Sequence, residues 1–177
     1  MSPRREDFGA WLEGTPGGMS PGRVTGLRLP EAGPGSLTPL GRRAVALVVD
    51  WGLSMAVASL FWPDPTAVGP WVLGAEPWAT LLVFVVSTAV LVGLLGYTVG
   101  HRALGLRVAR LVSMPDPAPV GPDGESGPER MAAPGPPGLA VAALRTVLVA
   151  LVIPPVVWDR SGRGMHDLAA RTVIVRR

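Results

Sequence analysis

The 177-residue chain has no cysteine, lysine, asparagine or glutamine, and a single tyrosine. Without cysteine there are no disulfides, thiolate metal sites or cysteine nucleophiles. All 16 basic residues are arginine. A GC-rich coding sequence accounts for that bias without any special chemistry. The two histidines, His101 and His166, stand at a spacing that resembles no zinc motif, so no metal or cofactor is expected. The chain holds no GxxxxGK[ST] phosphate loop and no base–nucleophile set, so it is not expected to be an enzyme. Basic residues are not interleaved with aromatics as they are in single-strand binders, so nucleic acid is not an expected partner. Charge is also scarce, at 16% of residues against 48% hydrophobic.

The apolar residues are gathered into three blocks rather than spread over amphipathic elements, which points to a membrane. Residues 1–39 precede them, with six prolines and eight glycines, and read as a disordered arm. They do not resemble a signal peptide, and Phe8-Gly-Ala-Trp11-Leu12 is their one apolar patch. The first block, 44–62, reaches about 28 Å as a helix, close to the hydrocarbon thickness of about 30 Å. It contains Asp50. A carboxylate at mid-span costs about 2.5–3.5 kcal/mol, and each Val, Leu or Phe returns roughly 0.3–0.6. The eight such residues in this block bring insertion near break-even, so neighbouring helices must decide it. Trp62, Trp71 and Trp78 bracket a loop, 63–77, that has acids and no arginine. The second block, 78–100, is uncharged.

Arginines follow at 102, 107 and 110, and two readings of this stretch compete. Leu106–Val112 forms a short strand, or the arginines share one arc of an interfacial amphipathic helix. Residues 113–138, with eight prolines and five glycines, read as a flexible linker. The third block, 139–158, carries Arg145 and a diproline, Pro154-Pro155, that breaks or kinks a helix. Thr172–Val175 is a short β-prone run. The expected fold is an all-α membrane protein, a small helical bundle of three apolar segments. Short basic strand or amphipathic segments lie at its cytoplasmic face.

Arginines flank the first two blocks at one end and are missing from the loop between them. The positive-inside rule then places the N-terminus and residues 101–138 in the cytoplasm. The arginine-rich tail after residue 158 conflicts with a third full crossing. Three crossings are the simpler count, and a re-entrant third block, buried in protein, is the rival.

Three segments together resemble the signatures of the RDD family of bacterial membrane proteins. They are Arg43-Ala-Val-Ala-Leu-Val-Val-Asp50, Gly96-Tyr-Thr-Val-Gly100-His-Arg-Ala-Leu-Gly105-Leu-Arg-Val108 and Gly164-Met-His-Asp167-Leu-Ala-Ala-Arg-Thr172-Val. The match spans roughly residues 40–176 and leaves the arm outside. The resemblance implies that Arg43, Asp50 and Asp167 are the name-giving charges. It also implies an integral membrane protein of the bacterial cell membrane, for which transport of ions or small solutes is often suggested. One departure is Arg171, where the family more often has glycine before the threonine.

Arg43 and Asp50 lie seven residues apart, on one helix face. Arg145 and Asp50 each sit about 10 Å into their blocks, so a contact between them is expected, with Arg43 and Asp167 as a second pair at the boundary. Asp50 has three readings: a structural pair, a proton or cation pathway, or a partner's docking point. Gly96-x-x-x-Gly100 fits close helix packing, and both glycines, with Gly105, also suit turns. Ser54, Ser59, Ser87 and Thr88 are expected to bond carbonyls of the preceding turn. The expected function is movement of an ion or small solute through a polar centre containing Asp50 and Arg145, in an oligomer. The alternative is a non-transporting accessory protein that recruits a membrane partner.

Overall fold

The computed structural model describes residues 29–30, 33–113, 130–151 and 165–177. Two long helices dominate, α1 (Leu40–Phe61) and α2 (Pro77–Leu95), and both are long and apolar enough to cross a membrane. Pro77 opens α2, where a missing N–H leaves no hydrogen bond unmade. The loop between the helices is closed at its neck. Glu76 N–H donates to the Trp62 carbonyl at 3.0 Å, and the Trp62 and Trp78 rings lie 5.7 Å apart.

Gly96, at φ 80°, ends α2 in a left-handed turn, so the helix stops five residues short of the expected boundary. A short helix α3 (Val99–Ala103) follows, then β1 (Leu106–Ser113), β2 (Arg130–Ala132), α4 (Leu139–Ala150), α5 (Met165–Ala169) and β3 (Thr172–Arg176). The strands form an antiparallel sheet in the order β2-β1-β3. Val108 opposes Ile174, and Leu111 opposes Ala132.

This sheet overturns the all-α expectation. It replaces the amphipathic-helix reading of 106–112 with a strand. One sheet face, Leu106, Val108 and Ile174, packs on Ala46, Val92 and Ala142 of the helices. The other, Ala109, Leu111, Val173 and Val175, packs under Leu29 and Leu37. The arm is therefore ordered at its end: Thr38 N–H donates to the Ile174 carbonyl at 3.1 Å, and Gly35 N–H to the Arg176 carbonyl at 2.8 Å. The 113–138 linker likewise contributes strand β2. The rest of the arm, Phe8–Leu12 included, and linker residues 114–129 lie outside the described residues.

In the third apolar block, Leu139–Ala150 is helical, 12 residues or about 18 Å. Its diproline lies outside the described residues. Leu139 packs on Gly93 near the end of α2, and Asp167 lies beside Arg43 at the start of α1. Leu139 and Asp167 therefore lie at the same end of the helix pair.

Polarity along the long helices is inverted. The inward face of α1 carries Arg43, Ala46, Asp50, Ser54, Ala58 and Ser59, whereas Val48, Leu60 and Phe61 are 70, 62 and 68% exposed. Buried Thr80 and Thr88 on α2 continue the pattern. Ser54, Ser59, Thr80 and Ser87 donate to carbonyls three or four residues back. A helix that keeps its hydroxyls inside and its large apolar residues outside is suited to an apolar solvent.

Two substitutions test this packing. A Cβ at Gly93 would sit 2.9 Å from Leu139 Cα. Gly93→Ala should therefore cost about 1–3 kcal/mol as α4 is forced away, read by denaturant unfolding in detergent. Arg171 is the non-glycine residue with positive φ, 50°, among the described residues. Arg171→Gly should stabilise slightly, by about 0.5 kcal/mol, because glycine relieves that strain while losing more backbone freedom on folding.

Candidate functional site

Two carboxylates are buried, and their surroundings differ. Asp167 on α5 is 0% exposed. Its Oδ1 accepts from Arg145 Nε at 2.8 Å and from the Thr172 hydroxyl at 3.1 Å, with His166 Nε2 at 3.6 Å. Arg43 Nη1 lies 3.7 Å from Oδ2, an ion pair too long for a hydrogen bond, and Arg43 Nε also donates to the Thr38 carbonyl at 3.0 Å. One carboxylate thus joins α1, α4, α5 and β3. Burial alone would raise its pKa. The charges of Arg145, His166 and Arg43, with the Arg145 hydrogen bond, outweigh that and hold it below the usual 3.8.

Asp50 is 8% exposed and has no guanidinium partner among the described residues. Its Oδ1 accepts from Gly100 N–H at 2.7 Å, and Oδ2 is hydrogen-bonded to the Thr98 hydroxyl. The expected Asp50–Arg145 contact is replaced: Arg145 goes to Asp167, and α3 takes up Asp50. Ala46 packs in one core with Leu106, Val108 and Ile174, and Asp50 lies one helical turn further along α1, about 6 Å. Asp50 thus lies midway along α1, one turn beyond the residue that packs on the sheet.

The three signature glycines divide their roles. Gly96 and Gly105, at φ 80° and 66°, make the turns on either side of α3. Gly100 permits contact: a Cβ there would lie 2.2 Å from the Ala46 carbonyl oxygen and 2.9 Å from the Asp50 carboxyl. Its close packing is therefore against α1 of the same chain.

Sequence reasoning missed Thr98 and His101. The Thr98 hydroxyl accepts from His101 N–H at 3.1 Å and lies 2.7 Å from His101 Nδ1. Thr98 N–H points at the same Nδ1, at 3.4 Å. This reciprocal cap is legible as Thr-x-x-His, a polar pair at capping-box spacing. Burial foremost, then Arg145 and Arg43 against the pull of Asp167, pushes the His101 pKa down to about 3. The imidazole is therefore neutral at pH 7. Tyr97 was missed as well; Arg102 and Arg177 lie 5.5 and 5.0 Å from its ring centre.

Chemically, the Asp167 cluster is a compensated ion network suited to holding elements in register. The Asp50 site is a carboxylate met, among the described residues, by neutral donors, able to take a proton or a small cation. No group of three or more metal-ligating His, Asp or Glu occurs among the described residues. An apolar groove on α2, lined by Leu82, Val86, Val90 and their neighbours, includes none of these charges. Comparison with protein-family models, curated proteins and solved structures returns no match.

Removing the Asp167 carboxylate takes from the buried Arg145 guanidinium the carboxylate it bonds at 2.8 Å, so Asp167→Ala should cost about 3–5 kcal/mol. The pH dependence follows from the sign of the shift. A folded pKa below 3.8 makes the stabilisation full above that value and lost as pH falls through the folded pKa. Acid-unfolding curves in detergent should show that loss in the native chain, and Asp167→Asn should lack it.

Proposed function

We propose that the chain is a multi-pass protein of the bacterial cytoplasmic membrane, of the RDD type, that binds and moves a small cation at Asp50. One observation carries this: a buried carboxylate on an apolar helix, with neutral donors and no cationic partner among the described residues. A carboxylate kept for structure is ordinarily paired, as Asp167 is. An unpaired one at membrane depth marks an ion or proton pathway. The inverted polarity of α1 and α2 supports lipid around them, and the arginines at the sheet end support a cytoplasmic N-terminus. Support for the family resemblance comes from Arg171, whose positive φ is one that glycine takes without strain. Arg145 belongs to the register-holding cluster in this reading and not to the ion site.

The second reading, an accessory protein that recruits a membrane partner, draws on Arg102 and Arg177, which are exposed beside Tyr97 and have no acidic partner among the described residues. Reconstitution into liposomes separates the two. The transport reading expects cation flux down an imposed gradient, reduced at least about tenfold in Asp50→Asn, as loss of an essential charged ligand implies. Detergent-stable protein with no flux under proton, sodium or potassium gradients would sink it in favour of the accessory role.

A further inference from the structure

We propose that the cation held at Asp50 is a proton, shared between Asp50 and Thr98, with neutral His101 accepting from Thr98 at its far side while that proton is bound. This rests on reading Asp50 as an ion-binding residue and names the ion.

Counting hydrogens at Thr98 leads there. The hydroxyl has one hydrogen and meets two groups, Asp50 Oδ2 and His101 Nδ1. It also accepts the His101 N–H. If its hydrogen points to an ionised Asp50, then Nδ1 must carry a hydrogen to avoid facing the Thr98 oxygen lone pair to lone pair. That hydrogen would face the Thr98 N–H, which already points at Nδ1. If Asp50 carries the proton instead, every contact has one donor and one acceptor. The Asp50 hydroxyl donates to Thr98, and Thr98 donates to Nδ1. The other Asp50 oxygen accepts from Gly100, and the Thr98 N–H shares the Nδ1 lone pair at longer range. Nε2 then holds the single imidazole hydrogen.

Gain or loss of the proton is a simple exchange. Asp50 gives up its hydrogen to base, which breaks one O–H bond, and the Thr98 hydroxyl swings from Nδ1 to the new carboxylate. Once Asp50 is ionised, the neutral imidazole satisfies Thr98 by changing tautomer: Nε2 releases its hydrogen to base and Nδ1 takes one from water, so one N–H bond breaks and another forms with no change of charge. The tautomer of His101 therefore reports the proton on Asp50. The charges felt at His101 are Arg145, Arg43 and Asp167, and the first two oppose an imidazolium there. A sodium ion fits less well, because it needs Asp50 ionised, and the single Thr98 hydrogen cannot then serve both Asp50 Oδ2 and His101 Nδ1.

The chain has only two histidines, so a ¹⁵N-histidine spectrum of the full protein in nanodiscs contains two imidazoles, with His101 assigned in His166→Gln. At neutral pH we expect His101 with Nδ1 unprotonated and Nε2 protonated. Raising the pH should convert it to the Nδ1-protonated tautomer. Asp50→Asn should abolish that titration, since the Asn amide donates permanently to Thr98 and its carbonyl still accepts from Gly100. Thr98→Val should uncouple the two groups, and Thr98→Ser should keep the coupling if the valine variant does not fold. A protonated Nδ1 at neutral pH, or an unchanged titration in Asp50→Asn, overturns the proposal. The expected titration without any liposome flux would keep the proton site and sink transport. Sodium flux with no such titration would keep transport and sink the proton.

Discussion

A carboxylate cut off from water, Asp167, holds the molecule together through the guanidiniums of Arg43 and Arg145. These charges come from three separated segments, and a fourth, β3, adds the Thr172 hydroxyl. Such a cluster is not strongly stabilising relative to apolar residues of the same shape, because desolvation cancels most of the attraction. Its force lies in the alternatives. Any packing that separates the partners leaves a bare charge in a medium that does not solvate it. Arg43 extends the constraint by bonding the Thr38 carbonyl, and Thr38 N–H in turn bonds the edge of β3. The register of the sheet and the position of α1 are thereby coupled through one side chain.

Asp50 shows what the same chemistry becomes without a counter-charge. It is buried like Asp167 but is met by a backbone N–H and a hydroxyl. The approach of Gly100 to Ala46 makes this possible, because a side chain at position 100 would occupy the space the carboxylate uses. Neutral donors give a carboxylate enough company to be buried without fixing its charge. A division of labour follows, with Asp167 committed to structure and Asp50 left able to change state.

Much of the charged centre was legible because an apolar environment leaves few options. Arg43, Asp50, Arg145 and Asp167 stood out as charges within or beside apolar blocks, and Arg43 does approach Asp167. The partner of Asp50 was not legible. Residue counts give depth along a helix axis, which matched Asp50 with Arg145, but not the direction in which a side chain leaves that axis. Direction was set by α3 and α5, five-residue helices too short to show a period. Leu106–Val112 and Thr172–Val175 were readable as β-prone, but their pairing into one sheet was not, for a related reason. With both faces covered, β1 and β3 lack the apolar–polar alternation that marks a half-exposed strand, and β2 is three residues within a Pro- and Gly-rich stretch. Thr98 and His101 were within reach, since the capping spacing was there to be read.

Under the transport reading, the placement of polar atoms becomes a statement about stoichiometry. Beyond Asp50 toward the loop end, α1 buries the hydroxyls of Ser54 and Ser59, and α2 buries those of Thr80 and Thr88. Ser54, Ser59 and Thr80 spend their hydrogen on their own helix and keep an oxygen lone pair to offer. One such set is a single wall. The outer faces of α1 and α2 are apolar. A path for a charged species needs polar atoms on opposing sides at every depth. In this reading a second copy of the chain supplies the missing wall, and the exposed apolar faces are where it meets either lipid or its twin.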